Sequence, residues 1–328
     1  VGYETLVQKI KLDSSQSINF YLLTKNVLKE VVVESSRKND NLTKAQMGTE
    51  TINMSSISKV PVIFGEKDLL KTIQLLPGVK SAGEGNSGFF VRGGGADQNL
   101  ILLDEAPVYN ATHLLGFFST FNSDAIKDAT IIKGNSSSQY GGRLSSVLDV
   151  KMKEGNNQDY TVNGGIGLIS SKVSVEGPLQ KNKSSFILSG RRTYADVFLK
   201  ATEKFKDNIL YFYDLNAKAN YQINAKNKVY ISGYFGRDEL GLGQDFGIDW
   251  GNKTGTIRWN KIISNRLFLN TSLIYSDYNY NVKLKNGETN FNINSNIKDV
   301  NLKQDYTLYA NGLNTLRFGF NTILHNIK

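Results

Sequence analysis

The side chains that could do chemistry in this sequence are few and scattered. The two histidines, His113 and His325, stand far apart, and neither has a cluster of carboxylates beside it in the sequence. That spacing gives no metal-ligand motif and no nucleophile–base–acid arrangement. The chain has no cysteine, which removes disulfides, thiolate metal sites and thiol nucleophiles together. Gly83-Glu84-Gly85-Asn86-Ser87-Gly88 matches the letters of a dinucleotide-binding loop. Such a loop must follow a strand and open a helix. Here it follows a helix stop and leads into the strand-like Phe89 to Val91, so it reads as a turn rich in hydrogen-bonding groups. Tyr109, Asn110, Thr112, His113, Phe117 and Phe118 make a second loop that mixes polar and aromatic side chains. A few polar groups among aromatics suit recognition of a ligand. For His113 alone the plain alternative is a packed loop residue.

Composition narrows the classes of function. The 328 residues carry a formal charge of +9, with 40% hydrophobic and 21% charged residues. The basic residues are spread along the chain and often alternate with apolar ones, so no basic face or motif points to nucleic acid. With 16 Tyr, 17 Phe and 30 Gly against 4 Pro, the composition favours strands and turns over helices. No apolar run reaches the ~20 residues of a transmembrane helix. The opening residues lack the form of a signal peptide, so export would require a longer precursor. A closed β-barrel spans a membrane without any such helix.

Four zones follow from periodicity. Residues 1–24 hold two short alternating strands, about 6–12 and 18–22, and read as the end of a small β-domain. Residues 25–42 form a linker with an apolar core at Glu30-Val31-Val32-Val33-Glu34, either an edge strand or a segment that lends its backbone to a partner's sheet. Residues 43–153 mix helix and strand. Leu69, Leu70, Ile73 and Leu76 share a helical face that Pro77-Gly78 ends, and strands are expected at 89–91, 100–103, 129–132 and 147–152. One helical turn is expected at Asp124-Ala125-Ile126. From 154 to 328 strict alternation takes over. Tyr213, Leu215, Ala217, Ala219, Tyr221 and Ile223 are separated by Asp214, Asn216, Lys218, Asn220 and Gln222. About eight such strands are expected, long enough at roughly 10–14 residues to cross a bilayer when tilted. Short turns near 224–227, 264–265 and 311–312 alternate with longer polar loops near 195–209, 237–250 and 280–292. A soluble β-sandwich also alternates, but strand length and loop asymmetry favour a membrane barrel.

Within the third zone, four steps occur in a telling order. They are Leu75-Leu76-Pro77-Gly78-Val79, then Val91-Arg92-Gly93-Gly94, then Asn99-Leu100-Ile101-Leu102-Leu103-Asp104-Glu105-Ala106-Pro107-Val108-Tyr109. Ile131-Ile132-Lys133-Gly134 followed by Tyr140-Gly141-Gly142-Arg143-Leu144 completes the set. Together they resemble the plug of TonB-dependent outer-membrane receptors. The chain lacks the PLYVIDG form of the glycan-importing branch. The resemblance implies a mainly β fold: a small α+β plug, residues 43–153, followed by the first strands of a large antiparallel transmembrane β-barrel, residues 154–328. It makes residues 1–24 the end of a carboxypeptidase-regulatory-like domain. It places the TonB box at Glu30, Val31, Val32, Val33 and Glu34. Barrels of this family have about twenty-two strands, so the chain would be a fragment of a longer protein.

The resemblance also assigns roles. Asn86, Ser87, Tyr109, Asn110, His113 and Phe117 would contact ligand on two apical plug loops, about 80–88 and 107–118. Arg92 and Arg143 would seat the plug by bidentate contacts to barrel carboxylates; the alternative is two solvated arginines. The implied function is active import of a scarce or bulky solute, such as a siderophore, haem, cobalamin, peptide or glycan. No catalysis, cofactor, metal or nucleic acid is implied. Partners would be TonB with its inner-membrane energising complex, outer-membrane lipid, the small or oligomeric ligand and a surface lipoprotein. The location would be the outer membrane of a Gram-negative bacterium. A structural or surface-assembly role in a larger outer-membrane complex, or a soluble β-rich binding protein, are the competing expectations.

Overall fold

The computed structural model describes residues 7, 13, 15, 17, 48–57, 66–83, 86–134, 136–287, 289–312 and 314–328. Apart from Val7, the strands expected at 6–12 and 18–22 and the segment Glu30 to Glu34 lie outside the described residues. The chain divides at residue 45 into two units. All that follows concerns the second.

That unit begins with a small mixed domain. Strand β1 (Thr49–Asn53) leads into the short helix α1 (Met54–Ile57), and α2 (Leu69–Ile73) follows. The side chain of Asp68 caps α2 by accepting from Lys71 N at 3.1 Å. Four residues beyond α2, Pro77 and then the positive φ of Gly78 turn the chain into β2 (Val79–Ser81). Next come β3 (Phe89–Val91), β4 (Asn99–Leu103), β5 (Ala106–Pro107), β6 (Thr112–His113) and β7 (Phe118–Ser119). Strands β8 (Ile126–Lys133) and β9 (Ser146–Met152) complete the domain. Its five-stranded sheet runs β1-β8-β9-β4-β5, with β4 parallel to β9. Leu69, Leu70, Ile73, Phe89, Val91, Phe121, Ile126, Ile131, Leu148 and Met152 form its apolar core. At 124–126 the chain makes a turn into β8 instead of a helical turn.

Nine antiparallel strands then run in sequence order: β10 (Thr161–Ile166), β11 (Ser170–Gln180), β12 (Ser184–Thr193), β13 (Ile209–Asn224), β14 (Asn227–Leu242), β15 (Phe246–Ile262), β16 (Leu267–Asn286), β17 (Thr289–Tyr309) and β18 (Thr315–Ile327). Nine strands among the described residues stand beside the expected count of about eight. The connection before β13 holds the short helix α3 (Ala195–Lys200). The polar stretches 237–250 and 280–292 are not loops. They pair as the ends of two long hairpins, with Glu239 opposite Asp249 and Lys283 opposite Asn292. A hairpin wet on both faces loses the period-2 signal while keeping its ladder.

The two faces of this sheet are inverted relative to a water-soluble one. Ile187, Lys218, Ser232, Thr256, Ile274 and Asn301 are successive register partners, and all are buried. Phe186, Ala219, Ile231, Ile257, Leu273 and Leu302 form the neighbouring cross-strand row on the opposite face. Of these, Ile231, Ile257, Leu273 and Leu302 are exposed. Along β13, Leu215 is 56% exposed and Asn216 1%. The polar face is buried because the small domain packs against it.

Candidate functional site

The two plug loops meet. Ser87 N donates to Gly116 O at 2.5 Å, and Gly116 has φ +107°, where a Cβ would strike the Asn86 side chain. Glycine is required there both for backbone angle and for this close approach. Asn86 is fixed in turn: its Oδ1 accepts from Gly88 N at 2.7 Å, while Gln74 Nε2 donates to the carbonyls of Asn86 and Gly88 at 2.7 and 2.8 Å. Between the loops lies a cleft of about 290 Å³ lined by Leu70, Asn86, Phe89, Tyr109, Asn110 and Leu115, among others. Three of the six expected contact residues therefore share one cleft: Asn86, Tyr109 and Asn110.

Tyr109 is half-buried and spans the cleft and the large sheet. Its hydroxyl donates to Asp299 Oδ2 at 2.5 Å, its ring stacks on Tyr278 with centroids 6.2 Å apart, and the Arg143 guanidinium sits 5.8 Å from its centroid. Burial, then the Asp299 carboxylate, push the phenol well above its ordinary pKa, so it remains a donor at any physiological pH. Asn252 clamps the adjoining backbone, accepting from Tyr109 N at 3.2 Å and donating to Asn110 O at 2.8 Å.

The other three expected contacts lie elsewhere. Ser87 is fully buried, and its hydroxyl donates to Asp68 Oδ2 at 3.2 Å, the carboxylate that also accepts from Ser119 N at 2.7 Å. It holds the loops to α2 and cannot reach a ligand. Phe117 is exposed but does not line the cleft. His113 is 1% exposed, so it is no ligand contact, and it is not isolated from carboxylates. Its Nδ1 lies 2.6 Å from Asp238 Oδ2 and its Nε2 lies 3.5 Å from Asp214 Oδ2, while its ring stacks on Phe212 at 4.1 Å. Asp238 also accepts from Leu114 N at 2.7 Å. Burial presses the imidazole pKa down, but Asp238 and Asp214 outweigh it and the net direction is upward. The partners of His113 follow it by more than a hundred residues, on β13 and β14, which is why no local spacing showed them. Among the described residues no group of three His, Asp or Glu is arranged to hold a metal.

The seating of the small domain is also redistributed. Neither Arg92 nor Arg143 meets a carboxylate of the large sheet among the described residues. Arg92 is exposed at φ +49° and lies against the backbone turns at Gly48 and Gly134, and Arg143 donates to Gly142 O at 2.8 Å. The ion pairs run with opposite polarity, acid on the small domain and base on the sheet. Asp104 meets Lys218 at 2.9 Å, Glu105 meets Arg258 at 3.2 Å and Asp124 meets Lys172 at 3.1 Å, while Glu154, in the connection just past the small domain, meets Lys228 at 2.7 Å. Asp104 and Glu105 both have positive φ, 45° and 75°, an uncommon state for non-glycine residues that presents both carboxylates to the sheet. Lys218 stood in the sequence as one more polar position of an alternating strand, and nothing local named its partner. Glu66 and Asp214 flank Arg191 at 3.6 and 2.6 Å, joining this network to the His113 contact through Asp214.

Residues 63–147 match the family model for the TonB-dependent Receptor Plug Domain. No curated protein matches the chain. The structure is similar to a double mutant of the ferric enterobactin receptor PfeA of Pseudomonas aeruginosa, with TM-score 0.66 and 16% identity over 89% of this chain and 51% of that one. It is similar to the siderophore receptor PirA of Acinetobacter baumannii, with TM-score 0.62 and 15% identity over 86% of this chain and 48% of that one. The outer membrane transporter YddB of Escherichia coli gives TM-score 0.60 and 11% identity, covering 85% and 48%. At such identities the likeness is one of fold, and this chain spans about half the length of each structure. The chain carries the plug domain of TonB-dependent receptors, packed on a sheet with the fold of their barrel.

Proposed function

We propose that this plug and sheet belong to a TonB-dependent active-transport receptor of the Gram-negative outer membrane, in which further strands close the barrel around the plug. The observation that carries the reading is the inverted sheet: a polar face packed on a globular plug and an apolar face left bare. Water disfavours so large a bare apolar surface, whereas hydrocarbon suits it. The free edges of β10 and β18 need partners in lipid, which a closed barrel supplies. The solved structures of this fold are described as a ferric enterobactin receptor, a siderophore receptor and an outer membrane transporter. Import of a chelated metal or a comparably bulky solute is the reading they favour for this chain.

In this reading the cleft at Asn86, Tyr109 and Asn110 receives the solute. The plug blocks the lumen, and its contacts with the sheet must loosen before the solute passes. TonB pairs with Glu30 to Glu34 as an added strand and supplies that work from the inner membrane. No residue is asked to do covalent chemistry. The test is Val32→Pro, which removes a backbone donor and fixes φ. Uptake of the cognate solute by cells should stop while its binding at the cell surface persists. Full uptake in this variant would reduce the segment to a linker. If single replacements at Asn86, Tyr109 and Asn110 all leave surface binding unchanged, recognition lies in the barrel loops.

A further inference from the structure

The bare face of the large sheet is layered toward its short-turn end, and the layering names a partner. The apolar row of Phe186, Ala219, Ile231, Ile257, Leu273 and Leu302 is followed by a row containing Tyr221, Val229 and Trp259, again successive register partners. Tyr221 and Trp259 are partly exposed, and the Trp259 indole donates to Asn227 Oδ1 at 3.0 Å. Each ring carries a cation on its turn side: Lys183 Nζ lies 5.2 Å from the Tyr221 centroid and Lys261 Nζ 5.2 Å from that of Trp259. Lys226 and Arg266 extend the cationic layer in the adjoining turns.

The charge there is only partly compensated. The turns 181–183, 225–226, 263–266 and 310–314 contain Lys181, Lys183, Lys226 and Arg266 and no Asp or Glu. Lys181 lies 3.9 Å from the exposed Asp159, and Lys228 is committed to Glu154. Lys183, Lys226, Lys261 and Arg266 have no carboxylate partner among the described residues. At the opposite end the connection 194–208 balances Asp196, Glu203 and Asp207 against Lys200, Lys204 and Lys206, and the next hairpin tip adds Asp245. The positive layer thus belongs to one end alone.

We infer that Lys183, Lys226, Lys261 and Arg266 form a binding belt for the headgroups of anionic phospholipids in the leaflet at the turn end. This rests on the membrane-spanning reading above. Amphipathic rings sit at the boundary between hydrocarbon and headgroups. A lysine stem laid on such a ring places its ammonium one step farther out, at the level of the phosphates. A neutral choline headgroup offers a compensated phosphate, whereas phosphatidylglycerol offers net negative charge, and basic residues near such a surface gain from it. Because Lys183 and Lys261 lie against exposed rings of the apolar face, lipid reaches them laterally, which an acidic soluble protein could not do.

The complete receptor is reconstituted into vesicles of phosphatidylcholine alone and of equal parts phosphatidylcholine and phosphatidylglycerol. It is then extracted in mild detergent and its retained lipid is quantified. Phosphatidylglycerol should be enriched severalfold over its share, and the enrichment should fall as salt rises. The variant Lys183→Gln, Lys226→Gln, Lys261→Gln, Arg266→Gln should insert into phosphatidylcholine like the parent and retain the two lipids without preference. The charge-keeping variant Lys183→Arg, Lys226→Arg, Lys261→Arg should keep the enrichment, as should Lys200→Gln, Lys204→Gln, Lys206→Gln at the other end. No enrichment in a parent that inserts normally, or parental enrichment in the fourfold variant, overturns the belt and leaves the spanning reading standing. Failure of the parent to insert into either vesicle overturns both.

Discussion

The two largest sheets among the described residues are built on opposite rules. The plug sheet buries Ile131, Leu148 and Val150 and is an ordinary water-excluding core. The nine-stranded sheet buries Lys218, Asn216 and Asp214 and leaves Leu215 and Ile231 bare. The first is held by apolar packing, which tolerates volume-conserving change. The second meets the plug through charge pairs and hydrogen bonds, whose strength depends on every partner being present. That interface seats the plug mainly through polar contacts, with Phe212 and Tyr234 of the sheet adding a small apolar share. The comparison teaches that the molecule's strong and separable contacts lie in different places.

The largest expected effect tests that difference directly. Asp104→Ala leaves the buried Lys218 ammonium without its carboxylate and should cost about 3–5 kcal/mol in denaturant unfolding of the receptor. The paired change Asp104→Leu with Lys218→Met should cost much less. Equal losses from the single and paired changes would show that the ion pair is incidental to seating. Next in size is the outer face. Ala217→Arg should reduce folding stability in bilayers by roughly 2–4 kcal/mol if the site lies near the midplane, falling toward zero near the interfaces. A full-sized effect in detergent-free water instead of lipid would contradict the bare-face reading. A cysteine at Leu215 should react with a lipid-soluble probe and one at Asn216 should not; the reverse pattern would break the assigned faces.

The cleft gives a smaller effect. Tyr109→Ala should weaken ligand binding by roughly 1–3 kcal/mol, the usual range for a good contact residue. Because Tyr109 also bonds Asp299, plug stability must be measured beside it. Lost affinity at unchanged stability marks a contact, whereas lost stability marks a prop. Tyr109→Phe separates the hydroxyl from the ring. The smallest and most graded effect is with pH. Asp238 and Asp214 raise the His113 pKa in the folded state. A raised folded pKa means that the stabilisation is fully present below the ordinary value near 6.5 and is lost as pH rises through the folded value. Plug stability should therefore decline over that rise in the parent and stay flatter in His113→Phe. Parallel profiles would mean that the pair titrates without consequence for seating.

Much of this was legible in the residues. The alternation from Tyr213 to Ile223 fixes which side chains share a face, because strand geometry has a period of two whatever surrounds it. Helix α2, which stops at Ile73 before reaching Leu76, and the strands around Phe89, Leu102, Ile131 and Val150 follow from local propensity and turn chemistry. The loop pair was legible as a candidate, since polar and aromatic groups gather there. Sequence could not say which of those groups point into the cleft. Asn86, Tyr109 and Asn110 do; Ser87 and His113 turn inward to Asp68 and Asp238. It could not say that seating falls to Asp104 and Glu105 instead of Arg92 and Arg143, nor that two polar stretches are hairpin ends. The partners of His113, Asp104 and Glu105 lie more than a hundred residues away and that of Ser87 nineteen, while the hairpin ends rest on a ladder whose hydrogen bonds leave no mark on side-chain type. Periodicity is a property of the chain, but pairing across the interface is a property of the register, and only the tertiary structure decides it.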